Sequence, residues 1–201
     1  MAIELSLSQV IELSGGRPRR MRQLANEGVF IPTEAERTGR AARLYPVSEA
    51  AIACIIATID EFSVTTSVLA GVAKCLRGFY RVQSDYGFKN HHEGKQFALR
   101  DFYLHTIGGS NVDPDEYATA LGLAERPRAG GEPLAEGEFR RIMDWVELEQ
   151  SRTGEKVHWM SLRASSEGEW QFYVSDHVIA PDGPCKGFMV LNLGEILSVL
   201  R

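Results

Sequence analysis

The 201 residues, 44% apolar and 24% charged, suffice for one large domain or two small ones and have the balance of a folded chain, which excludes disorder throughout. Three cysteines, Cys54, Cys75 and Cys185, are odd in number, far apart and form no Cys-x-x-Cys pair, so neither a disulfide framework nor structural zinc is expected and a reducing cytoplasm fits best. The net charge of −5 is uneven: residues 1–80 hold nine Lys/Arg against eight Asp/Glu, residues 81–201 hold 13 against 19, and Arg17–Arg43 has seven arginines against three glutamates.

The start, MAIELSLSQVIELSGG, carries Glu4 and Glu12 and lacks the basic start and unbroken apolar run of a signal peptide. The longest weakly polar stretch, VSEAAIACIIATIDEF, is too short to span a bilayer, so no membrane segment is expected.

In SLSQVIELSGG, Ser6 and Gln9 form a capping-box pattern ahead of a two-turn helix with Leu7, Val10, Ile11 and Leu13 on its apolar side. Gly15-Gly16 stops it. Pro18 suits the first position of a second helix running to about Glu27, with Gly28 as terminator. On this helix Met21, Leu24 and Ala25 fall at i, i+3, i+4 and face the first helix, leaving Arg17, Arg19, Arg20 and Arg22 over the opposite side and the leading end. Two short helices joined by a tight glycine turn, the second basic, read as a helix-turn-helix whose arginines can meet phosphates and base edges in a major groove.

Val29–Ile31 and Arg43–Tyr45 are short strand-like pieces around a polar loop with Arg37 and Arg40, a pattern that predicts a hairpin wing. Ala51, Ile52, Ile55, Ile56 and Ile59 then recur at helical spacing. Ser63 is placed to cap a further helix with the apolar stripe Val64, Val68, Leu69, Val72, Leu76 and Phe79.

This order, with Gly15, Pro18, Met21-Arg22, Gly28 followed by VFIP, GRAARLYP with Arg43-Leu44-Tyr45, and Phe62-Ser63-Val64, resembles the DNA-binding domain of the MerR family of transcription regulators over roughly residues 5–77. The resemblance implies a winged helix-turn-helix that binds double-stranded DNA; because one such domain reads only a few base pairs, a homodimer on a two-fold site is expected. Its DNA-binding residues would be Arg17, Arg19, Arg20 and Arg22 on the second helix, and Arg37, Arg40, Arg43 and Tyr45 on the wing. Arg17 stands where the family has a small N-cap residue, and Gln23 and Leu24 stand where it has aromatic residues. GFYRVQSDYGFKNHHEGKQ breaks the family's long dimerisation helix after about Gln83.

Asp85–Lys95 is polar with two glycines and predicts a linker or exposed loop. QFALRDFYLHTI is an apolar run of either type, DPDEYATALGL a helix capped by Asp113, and LAEGEFRRIMDWVELEQS a helix with Phe139, Ile142, Met143, Val146 and Leu148 on one face. KVHWMSLRA, EWQFYVS and GFMVLNL alternate as strands do, and LGEILSVLR closes the chain as a helix. The expected fold class is mainly α with small β elements: a winged helix-turn-helix over residues 1–82 and a C-terminal α+β module over residues 96–201. The second module is expected to serve dimerisation or to bind a protein partner or small-molecule effector.

His91, His92 and Glu93 could suggest a metal, but neighbours in sequence do not converge on one ion, so a polar loop without metal or cofactor is expected. His158 and His177 read as strand or turn residues. Asp176, His177, Glu167 and Glu169 match no nucleophile, base and oxyanion pattern, so no enzyme is expected. Trp145, Trp159, Trp170, Phe172 and Tyr173 read as core before pocket lining. Cys54 and Cys75 fall on apolar helix faces, and Cys185 beside Lys186 is the one candidate reactive thiol. The expectation is a cytoplasmic, nucleoid-associated, sequence-specific transcription regulator of bacterial or phage type. The alternative is an excisionase-like or packaging-related adaptor that bends or bridges DNA and docks another protein through its C-terminal half.

Overall fold

A computed structural model describes residues 4–33, 43–107, 134–164, 170–176 and 187–200. Strand β1 (Glu4–Ser6) runs into helix α1 (Leu7–Ser14), where the Ser6 hydroxyl accepts the Gln9 N–H at 3.3 Å and Gln9 accepts the Ser6 N–H at 2.8 Å. The reciprocal cap satisfies donors that a first helical turn leaves open. Gly15, left-handed at φ 64°, ends α1, and α2 (Pro18–Asn26) restarts with its proline at the first position. Val10 and Ile11 of α1 and Met21, Leu24 and Ala25 of α2 are buried, the faces their spacing predicts.

Strand β2 (Leu44–Pro46) pairs antiparallel with β1, Leu5 opposite Tyr45. Val29–Ile31, the first arm of the expected hairpin, is not a strand; just beyond it the Thr33 N–H donates to the Leu44 carbonyl at 2.9 Å, and the loop expected between the two arms lies outside the described residues. Side chains take the groups a ladder would need. The Glu49 carboxylate accepts the Ile31 N–H at 3.0 Å, Arg77 donates to the Val29 carbonyl, and Pro32 has no N–H to give.

Helix α3 (Val47–Asp60) is apolar on nearly every side and is buried accordingly, from Glu49 through Ala57 and again at Ile59 and Asp60. Glu49 is matched by Arg77 of α4 (Thr66–Tyr80), whose Nε lies 2.5 Å from Glu49 Oε1. The α4 cap is Thr65, not Ser63 as its sequence position suggests; Ser63 is left-handed at φ 57° and closes the turn after α3 through its N–H to the Asp60 carbonyl. Leu69, Val72, Ala73 and Leu76 carry the α4 stripe into the core.

The linker expected over Asp85–Lys95 is instead structured. Helix α5 (Val82–Tyr86) ends at left-handed Gly87, Phe88 is buried, and α6 (His91–Ile107) begins directly after. Tyr86, Phe88 and Trp145 stack in sequence, with centroids 5.4 Å and 5.8 Å apart, and with Val82, Ala98, Ile142 and Val146 they form a second apolar cluster. Gly94 lets α6 close on it, since a Cβ there would lie 2.4 Å from Trp145 Cζ3.

Helix α7 (Glu136–Thr153) leads through left-handed Gly154 to a three-stranded antiparallel sheet, β3 (Trp159–Ala164) between β4 (Trp170–Ser175) and β5 (Gly187–Asn192). Asn192 caps α8 (Leu193–Ile196), and a 3-10 turn, Leu197–Leu200, finishes the expected terminal helix against α1, α3 and α7. Met160 sits between Val174 and Leu191 in register, and all three join Leu148, Leu162, Leu193 and Leu197 in the same cluster as Val10, Leu24, Ile55 and Leu69. The main core thus crosses the expected boundary between residues 1–82 and 96–201. Among the described residues the chain is mainly helical with two small antiparallel sheets, and no helix is long and apolar enough to cross a membrane.

Candidate nucleic-acid interface

Burying Met21, Leu24 and Ala25 turns the opposite side of α2 outward, and Arg17, Arg19 and Arg22 are exposed on it. Arg17 is the N-cap residue and supplies no side-chain acceptor to the first turn. Cations are thus gathered at the positive end of a helix, an arrangement unfavourable by itself and relieved by an anion. Part of that relief is internal. Asp60, at the end of α3 with a side chain only 9% exposed, takes Arg20 Nε at 3.0 Å and the 75% exposed Arg17 at 3.4 Å.

Arg20 is consequently not part of the outward set. Its guanidinium lies against the protein, with its second nitrogen donating to the Thr66 hydroxyl at 3.1 Å, so it ties α2 to the α3–α4 turn. Sequence reasoning missed Asp60 and Thr66 because they lie 40 and 46 residues from Arg20.

Tyr45 is also removed from the candidate surface. Its register opposite Leu5 on β2 turns the ring into the core, where it has no exposed surface. Burial raises the phenol above its ordinary range, and the charge of nearby Arg43 partly opposes that rise. Arg43 itself is exposed at the head of β2. Arg37 and Arg40 lie outside the described residues, as do Glu167, Glu169, His177, Cys185 and the helix expected after Asp113.

The remaining candidates fall elsewhere. Trp145 is core as expected, whereas Tyr173 is exposed and Trp159 half-buried; the side chains of Trp170 and Phe172 are outside the described set. His158 makes the local contacts expected of it: its N–H donates to Ser151 Oγ at 3.2 Å, and its Nδ1 lies 3.1 Å from the same hydroxyl. Burial pushes the Cys54 and Cys75 thiols up to about 11, which makes them poor nucleophiles.

His91 and His92, expected in a polar loop, instead begin a helix and both approach one acidic group. At the head of α6 their rings lie 4.2 Å apart, and Nε2 of each approaches one oxygen of Glu155, at 2.9 Å and 3.3 Å. The signal was divided in sequence: Glu155 lies 64 residues from His91. Comparison of the chain with known protein families, curated proteins and solved structures gives no match in any of the three.

Proposed function

We propose that this chain is a sequence-specific DNA-binding transcription regulator of bacterial or phage type, in which α1 and α2 act as a helix-turn-helix and α2 enters a major groove. The observation that carries the reading is the outward row of Arg17, Arg19 and Arg22 on an uncapped helix whose other side is fixed in the core. Support also comes from the order β1, α1, α2, β2, α3, α4, which accords with the resemblance of residues 5–77 to the MerR family. The segment between Thr33 and Arg43, with Arg37 and Arg40, is assigned to the DNA backbone beside the groove, and Arg43 extends that contact. One such unit spans few base pairs, so the active form is a homodimer on a two-fold site. The reading is of a binding protein, with no catalytic step.

The test is duplex binding by fluorescence anisotropy across a salt series, with target sequences selected from a random pool. Wild type should enrich a two-fold sequence. Arg19→Ala, Arg22→Ala and Arg43→Ala should each weaken binding and flatten the dependence of log K on log salt by about one unit per lost phosphate contact. If the triple variant binds DNA with wild-type affinity and slope, this surface is the wrong one.

A further inference from the structure

The most concentrated set of metal-ligating atoms among the described residues lies far along the chain from the arginines: a ring nitrogen of His91, a ring nitrogen of His92 and a Glu155 carboxylate oxygen fall within 4.8 Å of one another. We propose that these three side chains form a binding site for a zinc-class divalent cation. The proposal is independent of the DNA-binding reading.

Geometry supports it first. Ligands about 2.0–2.1 Å from a tetrahedral metal stand about 3.4 Å from each other. The histidine nitrogens stand 2.9 Å and 3.3 Å from Glu155 Oε1, so a cation needs adjustments of a few tenths of an ångström there and a closing together of the two rings. The donor set, two imidazoles and one carboxylate, is that of an open zinc site with three protein ligands and a fourth position for water or a small anion. The side-chain exposures of 63% for His92 and 39% for Glu155 leave that position facing solvent, while His91 is 7% exposed and anchors the site.

The framework is built from both sides. Asn90 Oδ1 accepts the Glu93 N–H at 3.1 Å and Glu93 accepts the Lys89 N–H at 2.8 Å, which fixes the first turn of α6 beneath the two imidazoles. On the other side α7 ends in left-handed Gly154 at φ 82°, and the N–H groups of Gly154 and Glu155 both return to the Gln150 carbonyl at 3.0 Å. That turn presents Glu155 at a set position. Without metal, Glu155 Oε1 is the hydrogen-bond partner of His91 Nε2 at 2.9 Å and lies 3.3 Å from His92 Nε2. With metal, the same nitrogens offer lone pairs and the ring protons move to Nδ1.

The experiment uses the full-length, tag-free chain stripped with a chelator and titrated with Zn²⁺ by calorimetry and with Co²⁺ by visible absorption. Wild type should take up one equivalent at this site, with tetrahedral Co²⁺ bands and a melting temperature raised by Zn²⁺. The exposed His92→Ala and the isosteric Glu155→Gln should retain the metal-free circular dichroism spectrum and melting curve. Each should lose the Co²⁺ bands and bind Zn²⁺ about 100-fold more weakly, the upper end of what loss of an outer-shell partner alone causes. Failure of wild type to bind at micromolar Zn²⁺, or wild-type affinity in both variants, overturns the proposal.

Discussion

Arg77 and Glu49 meet where α4 packs on α3, with side chains 17% and 5% exposed, and the second Arg77 nitrogen lies 3.0 Å from the other Glu49 oxygen. Arg77→Met keeps much of the stem's packing but leaves the carboxylate buried without its cation and the Val29 carbonyl without its donor. Breaking one side of a buried ion pair costs about 3–5 kcal/mol. For a chain of this size each kcal/mol is worth about 2–4 °C, so the melting temperature should fall by about 6–20 °C. A second change, Glu49→Gln, removes the stranded charge while its amide oxygen still accepts the Ile31 N–H, so the double variant should be more stable than Arg77→Met alone. Urea unfolding of wild type, both singles and the double gives the coupling energy directly. An Arg77→Met protein within about 1 kcal/mol of wild type, well under the 3–5 kcal/mol expected, or a double variant no more stable than that single, would refute the argument.

Burial pushes the Asp144 carboxyl up to about 6, against the pull of Arg140, and the Glu147 carboxyl up to about 7. In the unfolded chain both release their protons near pH 4, so between pH 4 and 7 the folded state holds the more protons and stability falls as pH rises. Glu147→Gln should match wild type at about pH 4 and melt higher at about pH 8, and a melting curve parallel to wild type across that range counts against burial as the cause. Gly94→Ala should destabilise by about 1–3 kcal/mol by driving a methyl into the Trp145 ring, and an unchanged melting temperature would mean that α6 and α7 do not meet there. Cys54 should resist thiol reagents at neutral pH until the chain unfolds and half-buried Cys75 should react more slowly than an exposed thiol, as peptide mapping after brief labelling would show; rapid modification of Cys54 in the native protein contradicts its burial.

Features whose cause lies within a few residues were legible in the sequence. The Ser6–Gln9 cap, the Gly15 stop, Pro18 and the buried Met21-Leu24-Ala25 face follow from chemistry completed inside one or two turns. Features settled by distant partners were not. Tyr45 looked like a surface residue because the strand that turns it inward, β1, lies some forty positions earlier. Arg20 looked equivalent to its neighbours until Asp60 and Thr66 claimed its guanidinium. The stretch around α5 and α6 looked like a linker because Gly94 reads as a breaker, whereas here the missing Cβ is what admits the Trp145 ring. The same helix brings His91 and His92 to Glu155, a convergence that spacing along the chain could not reveal.

The apolar interior is shared by Leu24, Ile55 and Leu69 with Met160, Leu191 and Leu197, so residues from both ends of the chain close one core. A fragment ending near Val82 would present to water the α3 and α4 side chains that α7, α8 and the last turn now cover. The outward arginines are thereby yoked to the far end of the chain. Whatever clasps the folded sheet, and not the unfolded chain, adds its binding free energy to the stability of the frame that carries α2.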